Sequence, residues 1–275
     1  MKNKQLAFIG AGNMARSLIG GLIADGWDPA AISVADPDKE QLATLAALFQ
    51  VHTDPDNHKV AENSDVVILA VKPQVMRVVA RDLAASVQQH QPLVISIAAG
   101  IRATDLERWL GGNCPLVRCM PNTPALVQSG ITALFCNPHV STEQKDLAET
   151  VMRAVGLALW VDDEDLMDAV TALSGSGPAY IFLIIEAMQE AGEELGLEEK
   201  TARLLALQTA FGAAKMALES RDDAATLRQR VTSPGGTTER ALAVLENGGL
   251  RNLFNDALRA ARDRSRELAQ QLGAE

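Results

Sequence analysis

Short apolar runs recur through the first part of the chain, separated by longer stretches with a helical period. The runs Leu6–Ile9, Ile32–Ala35, Val66–Val71, Leu93–Ala98, Leu116–Cys119, Ile131–Phe135 and Leu157–Val161 predict strands. Several are apolar at every position, as strands covered on both faces require. Between them, Met14–Ala24, Lys39–Phe49, Gln74–Val87, Asp105–Leu110 and Thr142–Ala154 predict helices. Ser141 and Gln144 have the capping-box spacing that starts the last of these. Alternation of this kind predicts βαβ units around a parallel-type sheet, an α/β domain.

After Val161 the pattern changes. The acidic stretch Asp162–Asp165 leads into Leu166–Leu173, Ala179–Leu195, Glu199–Glu219, Ala224–Val231, Thr238–Glu246 and Arg251–Leu272, all helical in pattern and many rich in Ala and Leu. The expected division is therefore an α/β domain over residues 1–162 and an all-helical one over 163–275. Ala179–Ile185 is apolar on every side, and such a helix must be buried in something large. A helical domain of roughly a hundred residues has limited capacity to hide it alone. The helical domain is therefore expected to be a subunit interface. The same run is far too short to span a bilayer. No basic segment followed by an apolar stretch opens the chain, so neither a signal peptide nor a membrane is expected, and the protein should stay in the cytoplasm.

Charge and rare residues narrow the chemistry. A formal net charge of −10 argues against a nucleic-acid partner, while leaving room for a local cationic pocket. Cys114, Cys119 and Cys136 are odd in number and lack CxxC spacing, as expected of reduced thiols. His52, His58, His90 and His139 are scattered without ligand spacing, so no metal site and no histidine base are expected.

One motif sits where its chemistry needs it. Gly10-Ala11-Gly12-Asn13-Met14-Ala15 follows the first strand directly and opens the first helix, the GxGxxA form of the dinucleotide fingerprint of Rossmann domains. Gly10 allows the tight turn, Gly12 lets backbone approach a pyrophosphate, and Ala15 keeps helix and strand close. The phosphates would meet the helix N-terminus, where unpaired N–H groups and the macrodipole favour anions. Asp36 closes the second strand. It either receives the adenosine ribose, which would favour NAD over NADP, or caps the next helix through Asp36-Pro37-Asp38. Ala70-Val71-Lys72-Pro73 and Ala98-Ala99-Gly100 lie at the carboxyl ends of strands, where open α/β sheets bind ligands, and also read as ordinary strand-to-helix turns. Lys72 is either a contact in that crevice or a solvated charge.

Two glycine and hydroxyl loops mark the helical part. Ser174-Gly175-Ser176-Gly177-Pro178 and Val231-Thr232-Ser233-Pro234-Gly235-Gly236-Thr237-Thr238 each precede a helix. Such a loop can turn successive N–H groups into a nest for a carboxylate, or can simply cap a helix.

Taken in order and spacing, Gly10–Ala15, Ala70–Gln74, Met120–Ala125 (MPNTPA), Leu173–Tyr180 (LSGSGPAY) and Val231–Thr238 (VTSPGGTT) resemble the pyrroline-5-carboxylate reductase family. The VTSPGGTT segment, followed by Ala241, Leu242, Leu245 and Glu246, is the specific part of the likeness. The resemblance implies a Rossmann domain followed by an all-α dimerisation domain, in dimers that assemble further into decamers. It implies reduction of the cyclic imine 1-pyrroline-5-carboxylate to L-proline with NADPH or NADH and no metal. It carries over Ser233, Gly235, Gly236, Thr237 and Thr238 as the substrate cradle, Thr238 placing its hydroxyl against the ring nitrogen. It places Glu164 near the bound amine, although Glu164 also reads as a first-turn helix acid. Gly10, Ala11, Gly12, Asn13, Met14, Asp36, Asn57, Ala70, Val71, Lys72, Pro73, Ala98 and Ala99 would contact the cofactor. Many family members carry a hydroxyl residue where this chain has Asp36. Two rivals differ in sequence: hydroxyacid dehydrogenases place a lysine after the glycine-rich segment, where this chain reads Ala179–Glu186 without one, and a non-catalytic dinucleotide sensor has no need of VTSPGGTT.

Overall fold

A computed structural model of the chain describes residues 4–274. Eight strands, β1 (Leu6–Ile9), β2 (Ile32–Ala35), β3 (His52–Asp54), β4 (Val66–Leu69), β5 (Leu93–Ser96), β6 (Leu116–Met120), β7 (Gly130–Cys136) and β8 (Gly156–Trp160), form one sheet in the order β3-β2-β1-β4-β5-β6-β7-β8. Interleaved with them are α1 (Asn13–Ala24), α2 (Lys39–Phe49), α3 (Asn57–Ala61), α4 (Pro73–His90), α5 (Ala103–Trp109) and α6 (Thr142–Arg153). There follow α7 (Leu166–Val170), α8 (Gly177–Glu194), α9 (Glu199–Glu219), α10 (Ala224–Arg230), α11 (Thr237–Asn247) and α12 (Leu250–Ala274).

The first six strands have the order of a doubly wound dinucleotide-binding sheet and are parallel throughout. Only β6 and β7 pair antiparallel, and β8 is again parallel to β7. The cause is the connection: Pro121–Ser129 is shorter than the dozen or so residues a parallel crossover needs.

All seven strands expected from the sequence are present. The eighth, β3, escaped the pattern because His-Thr-Asp on the sheet edge has no apolar position to display. The short helix α3 escaped as well; its start is set by the Asp56 side chain, which accepts from the His58 N–H at 3.0 Å. Helices cover both faces of the central strands. Phe8, Ile68 and Leu134 pack on one side with Leu18, Leu22 and Val151 of α1 and α6. Ile9, Leu69 and Val94 pack on the other with Met76, Leu83 and Leu106 of α4 and α5.

The chain divides into two compact units, residues 1–176 with 261–275, and residues 177–260. The boundary drawn at 162 marks the end of the last strand; α7 and the last turns of α12 belong with the sheet unit. Buried Asp168 on α7 accepts from the Ser265 hydroxyl at 2.6 Å, and Leu268 and Leu272 pack against Gly100.

In the second unit α8 and α9 pack together, with Gly192 set against Ala202 and with Ala202 and Ala206 buried. In the single chain α8 has no buried residue and Phe182 is 66% exposed, as expected of a helix reserved for a subunit interface. The run Ala179–Ile185 is part of a longer helical stretch. Leu166–Glu194 is a helical stretch of 29 residues, long and apolar enough by length and composition to cross a membrane. The shorter apolar run alone concealed this, because a π-helical turn over Thr171–Gly175 joins α7 to α8.

Candidate active site

The sheet unit carries a cradle built by backbone. Gly10 leaves β1 at φ +108°, and a Cβ there would lie 2.7 Å from the Ala70 carbonyl oxygen and 3.0 Å from the Val71 nitrogen. Only glycine satisfies both conditions, so the turn after β1 is drawn tight against the end of β4. Gly12 is the N-cap of α1, with no side chain capping the helix and nothing within 4 Å of where its Cβ would be. The helix start is thus uncapped and open beside Gly12, the arrangement that favours an anion.

Asp36 holds this turn in place. Its Oδ2 accepts from the Ala11 N–H at 2.8 Å, and its Oδ1 accepts from the Asp38 N–H at 2.8 Å. The Asp36-Pro37-Asp38 segment also caps α2, through Asp38, which accepts from Glu40 and Gln41. The hydrogen bonds from Gln41 and Glu40 hold the Asp38 carboxyl below the usual carboxylate range.

The remaining candidates fall at the carboxyl ends of the strands. Ala70 and Val71 adjoin Gly10, Lys72 is the exposed N-cap of α4, and Pro73 is its first residue. Ala98 is buried and Ala99 half-buried just past β5. Asn57 is the first residue of α3, which packs against β1 and β2. Asn13 and Met14 open α1. These cofactor candidates are thus gathered along one edge of the sheet unit.

Glu164 takes partners other than an amine. Its Oε1 accepts from the Arg118 guanidinium at 2.8 Å and from the Ala103 N–H at 2.6 Å. Arg118 lies in β6 and is 4% exposed. One carboxylate oxygen therefore ties the segment after β8 to β6 and to the start of α5. Arg118 was missed in the sequence, although a lone cation inside the apolar run Leu116–Met120 was its signal.

MPNTPA and LSGSGPAY meet directly. The Asn122 amide donates to the Ser174 hydroxyl at 3.3 Å, and its Oδ1 accepts from the Ile131 N–H at 3.0 Å. Gly175 sits against the Met120 side chain so closely that any Cβ would displace it. The serine-glycine loop is a π-helical turn within a continuous helical path, a feature that often marks functional positions.

In the helical unit, Val231–Thr238 forms a compact turn ahead of α11. Gly235 adopts φ +72°, Gly236 is the N-cap without a side-chain cap, and the Gly236 N–H donates to the Ser233 carbonyl at 3.0 Å. The Thr232 hydroxyl donates to the Arg228 carbonyl at 2.6 Å. Thr237 and Thr238 are the first two helical residues. Glu246, near the end of α11, receives Arg251 through two nitrogens, at 2.8 and 2.9 Å, and Arg228 at 3.3 Å, joining α10, α11 and α12. The Arg251 hydrogen bond holds the Glu246 carboxyl below its usual range.

Glu239 is the second residue the sequence reading overlooked. Its Oε2 accepts from the Gly235 N–H at 2.7 Å, so a carboxylate of the chain already occupies a donor expected to serve a ligand. Its position one turn into α11 was the available signal, since a glutamate there reaches back to the helix start. Replacing Glu239 by Gln is expected to lower KM for an anionic substrate about 2–5-fold with kcat unchanged, the size of one exposed charge interaction of ~0.5–1 kcal/mol. Steady-state kinetics check this, and an unchanged KM removes the competition.

Two of the thiols, Cys114 and Cys119, are buried. Burial, and next the Glu107 charge, push the Cys114 thiol up to about 11, and burial raises Cys119 as well. Among the described residues no group of three or more His, Cys, Asp or Glu is placed to hold a metal ion.

Comparison with known proteins adds the following. The family description "Pyrroline-5-carboxylate reductase dimerisation" matches residues 164–268, and "NADP oxidoreductase coenzyme F420-dependent" matches residues 5–100. A pyrroline-5-carboxylate reductase of Pseudomonas aeruginosa is 52% identical over 273 residues, covering 99% of this chain and 100% of that protein. The solved pyrroline-5-carboxylate reductase of Coxiella burnetii is 51% identical with a TM-score of 0.94, over 97% of this chain and 99% of its own. That of Plasmodium falciparum, solved with NADP bound, is 29% identical with a TM-score of 0.87, over 98% of this chain and 99% of its own.

Proposed function

The chain belongs to the pyrroline-5-carboxylate reductase family, and on that premise we propose that Val231–Thr238 holds the carboxylate of 1-pyrroline-5-carboxylate while Gly10–Met14 holds a dinucleotide pyrophosphate. The reaction is the reduction of that cyclic imine to L-proline, the last step of proline biosynthesis. The observation that carries the cofactor side is the uncapped start of α1 at Gly12, open where a Cβ would stand.

A reduced nicotinamide dinucleotide supplies the hydride when bound. What the chain adds is position and charge. The iminium carbon is already electrophilic, so placement accounts for much of the acceleration; near-attack orientation alone is worth ~7–11 kcal/mol. In this reading Ser233, Gly235, Gly236 and Thr237 receive the substrate carboxylate, helped by the positive end of α11. Thr238 places its hydroxyl on the ring nitrogen, where positive charge is lost as the carbon is reduced. Asn57, Ala70, Val71, Lys72, Pro73, Ala98 and Ala99 line the cofactor, their small or terminal positions leaving backbone accessible. Glu164 acts by holding β6 and α5 in register through Arg118 and Ala103.

Asp36 decides between cofactors. Its carboxylate stands at the end of β2, fixed by two backbone donors, where an adenosine ribose would come. A 2′-phosphate there meets a like charge, so NADH is the preferred donor. The test follows absorbance of NADH and NADPH in parallel on adding 1-pyrroline-5-carboxylate. Asp36→Ser is expected to move kcat/KM toward NADPH, and Asp36→Asn, which keeps an acceptor for the Ala11 N–H, separates charge from loop geometry. No consumption of either cofactor defeats the enzymatic reading in favour of a dinucleotide sensor; an unmoved preference removes Asp36 from the site.

Residues 163–275 serve in this reading as the substrate and dimerisation part. The exposed apolar surface of α8 supports a homodimer, with decamers as the higher form implied by the family likeness. The enzyme works in the cytoplasm, its long apolar helix covered by protein rather than lipid, and it engages neither membrane nor nucleic acid.

A further inference from the structure

The last turns of α12 end on the loop between β5 and α5, which carries Ala98 and Ala99. Hydrogen bonds fix that loop at its two ends. Before it, the Ile97 N–H donates to the Leu69 carbonyl at 3.1 Å; after it, the Ala103 N–H donates to Glu164 at 2.6 Å. Its middle turns at Gly100, which is buried and adopts φ +72°. A Cβ at Gly100 would lie 3.6 Å from Leu272 Cδ1, 3.7 Å from Leu268 Cβ and 3.9 Å from the Ala269 nitrogen. The middle of the loop is thus held by packing against α12.

One stripe of the helix makes these contacts. Ser265 and Ala269 are buried, and Leu272 packs with the core cluster that includes α4 and α5. Steps of four and three residues keep all three on one helix face. Each part of the stripe has its own anchor. The Ser265 hydroxyl donates to buried Asp168 at 2.6 Å, and the Arg108 guanidinium donates to the Gly273 carbonyl at 2.8 Å. Arg108 is itself held by Asp105 at 2.9 Å, and any Cβ at Gly273 would collide with that carboxylate. Chain ends fray unless tied down, and the last carbonyls of a helix lack partners within it. Here a side chain of α5 supplies one, so the end of α12 offers the loop a fixed surface.

We propose that Leu268, Ala269 and Leu272 are positioning residues for the dinucleotide: the end of α12 holds the Ala98–Ala99–Gly100 turn in the shape that receives it. The inference rests on the reading that Ala98 and Ala99 line the cofactor. A turn made of two alanines and a glycine offers a ligand little beyond its backbone. Its affinity therefore depends on how firmly that backbone is held. A loose turn must be ordered on binding, and the ordering subtracts from affinity.

The test measures Kd for NADH and NADPH on the full chain by titration calorimetry and follows the tighter binder. Leu272→Ala is expected to raise that Kd about 3–10-fold. KM for the cofactor should rise with it, while kcat and KM for the imine stay near their wild-type values. Leu272→Met should restore binding. Hydrogen exchange should quicken over residues 98–102 and stay unchanged over 10–15. Arg108→Ala, at an exposed side chain, frees the Gly273 carbonyl and should weaken binding about twofold or more. Leu147→Ala, in the buried face of α6, controls for lost stability alone and should leave Kd unchanged. An unmoved Kd in Leu272→Ala, or in Arg108→Ala should the first variant not fold, overturns the proposal. Equal weakening by Leu147→Ala overturns it too. Ala99→Val separates this inference from the reading beneath it. If that change alone weakens binding, only the role of α12 fails; if it has no effect, or the wild-type chain binds neither dinucleotide, the cofactor reading of the loop fails as well.

Discussion

Replacing Thr238 by Ala is expected to lower kcat for imine reduction by about 10² or more, the scale on which loss of one preorganised donor is felt. Thr238 is the second residue of α11, held behind a turn whose geometry comes from Gly235 at φ +72° and from the bond between Gly236 and Ser233. Its hydroxyl thus sits on a rigid element, and in the proposed role it meets the ring nitrogen as charge there is neutralised. The loss should appear in kcat with KM little moved, because an interaction made mainly in the transition state does not tighten ground-state binding. Thr238→Ser keeps the donor and should restore most of the rate. A near-normal kcat for the alanine variant, measured on folded protein, removes Thr238 from the chemistry.

The second large effect is on stability. Arg118→Ala is expected to lower the unfolding free energy by about 3 kcal/mol, because removing one partner of a buried pair strands the other. Arg118 has a side chain 5% exposed and Glu164 one 18% exposed. Glu164 would lose its guanidinium while keeping the Ala103 N–H at 2.6 Å. Glu164→Gln should cost less, since an amide oxygen still accepts from both donors. The double variant Arg118→Ala/Glu164→Ala should be less destabilised than the sum of the two single alanine changes, the sign of direct coupling. Denaturation must be compared at one protein concentration, because a dimer's stability depends on it. A cost under about 1 kcal/mol for Arg118→Ala would show the pair to be dispensable.

Much of the site was legible because its parts are local. Gly10, Gly12 and Ala15 announce themselves through a strand–turn–helix context that spans a few residues, and the structure places that turn hard against Ala70 and Val71. The position of Asp36 at the end of β2 was equally readable, but its hold on the Ala11 N–H was not, since that bond joins segments 25 residues apart. Arg118 and Glu164 were invisible as a pair for the same reason; they are 46 residues apart and meet only because β6 and the segment after β8 pack together. β3 was lost because its three residues give no periodicity to read.

Seven of the eight strands, the change of architecture after β8, the fingerprint turn and the family likeness were present in the order of residues, because each depends on neighbours in the chain. What covers Arg118, which donors Glu239 and Asp36 occupy, the reversal of direction between β6 and β7, and the bareness of Phe182 were decided by the tertiary structure alone. Burial and hydrogen bonding are properties of segments brought together across tens of residues. A one-dimensional pattern records what each segment needs, and packing determines which partner meets that need.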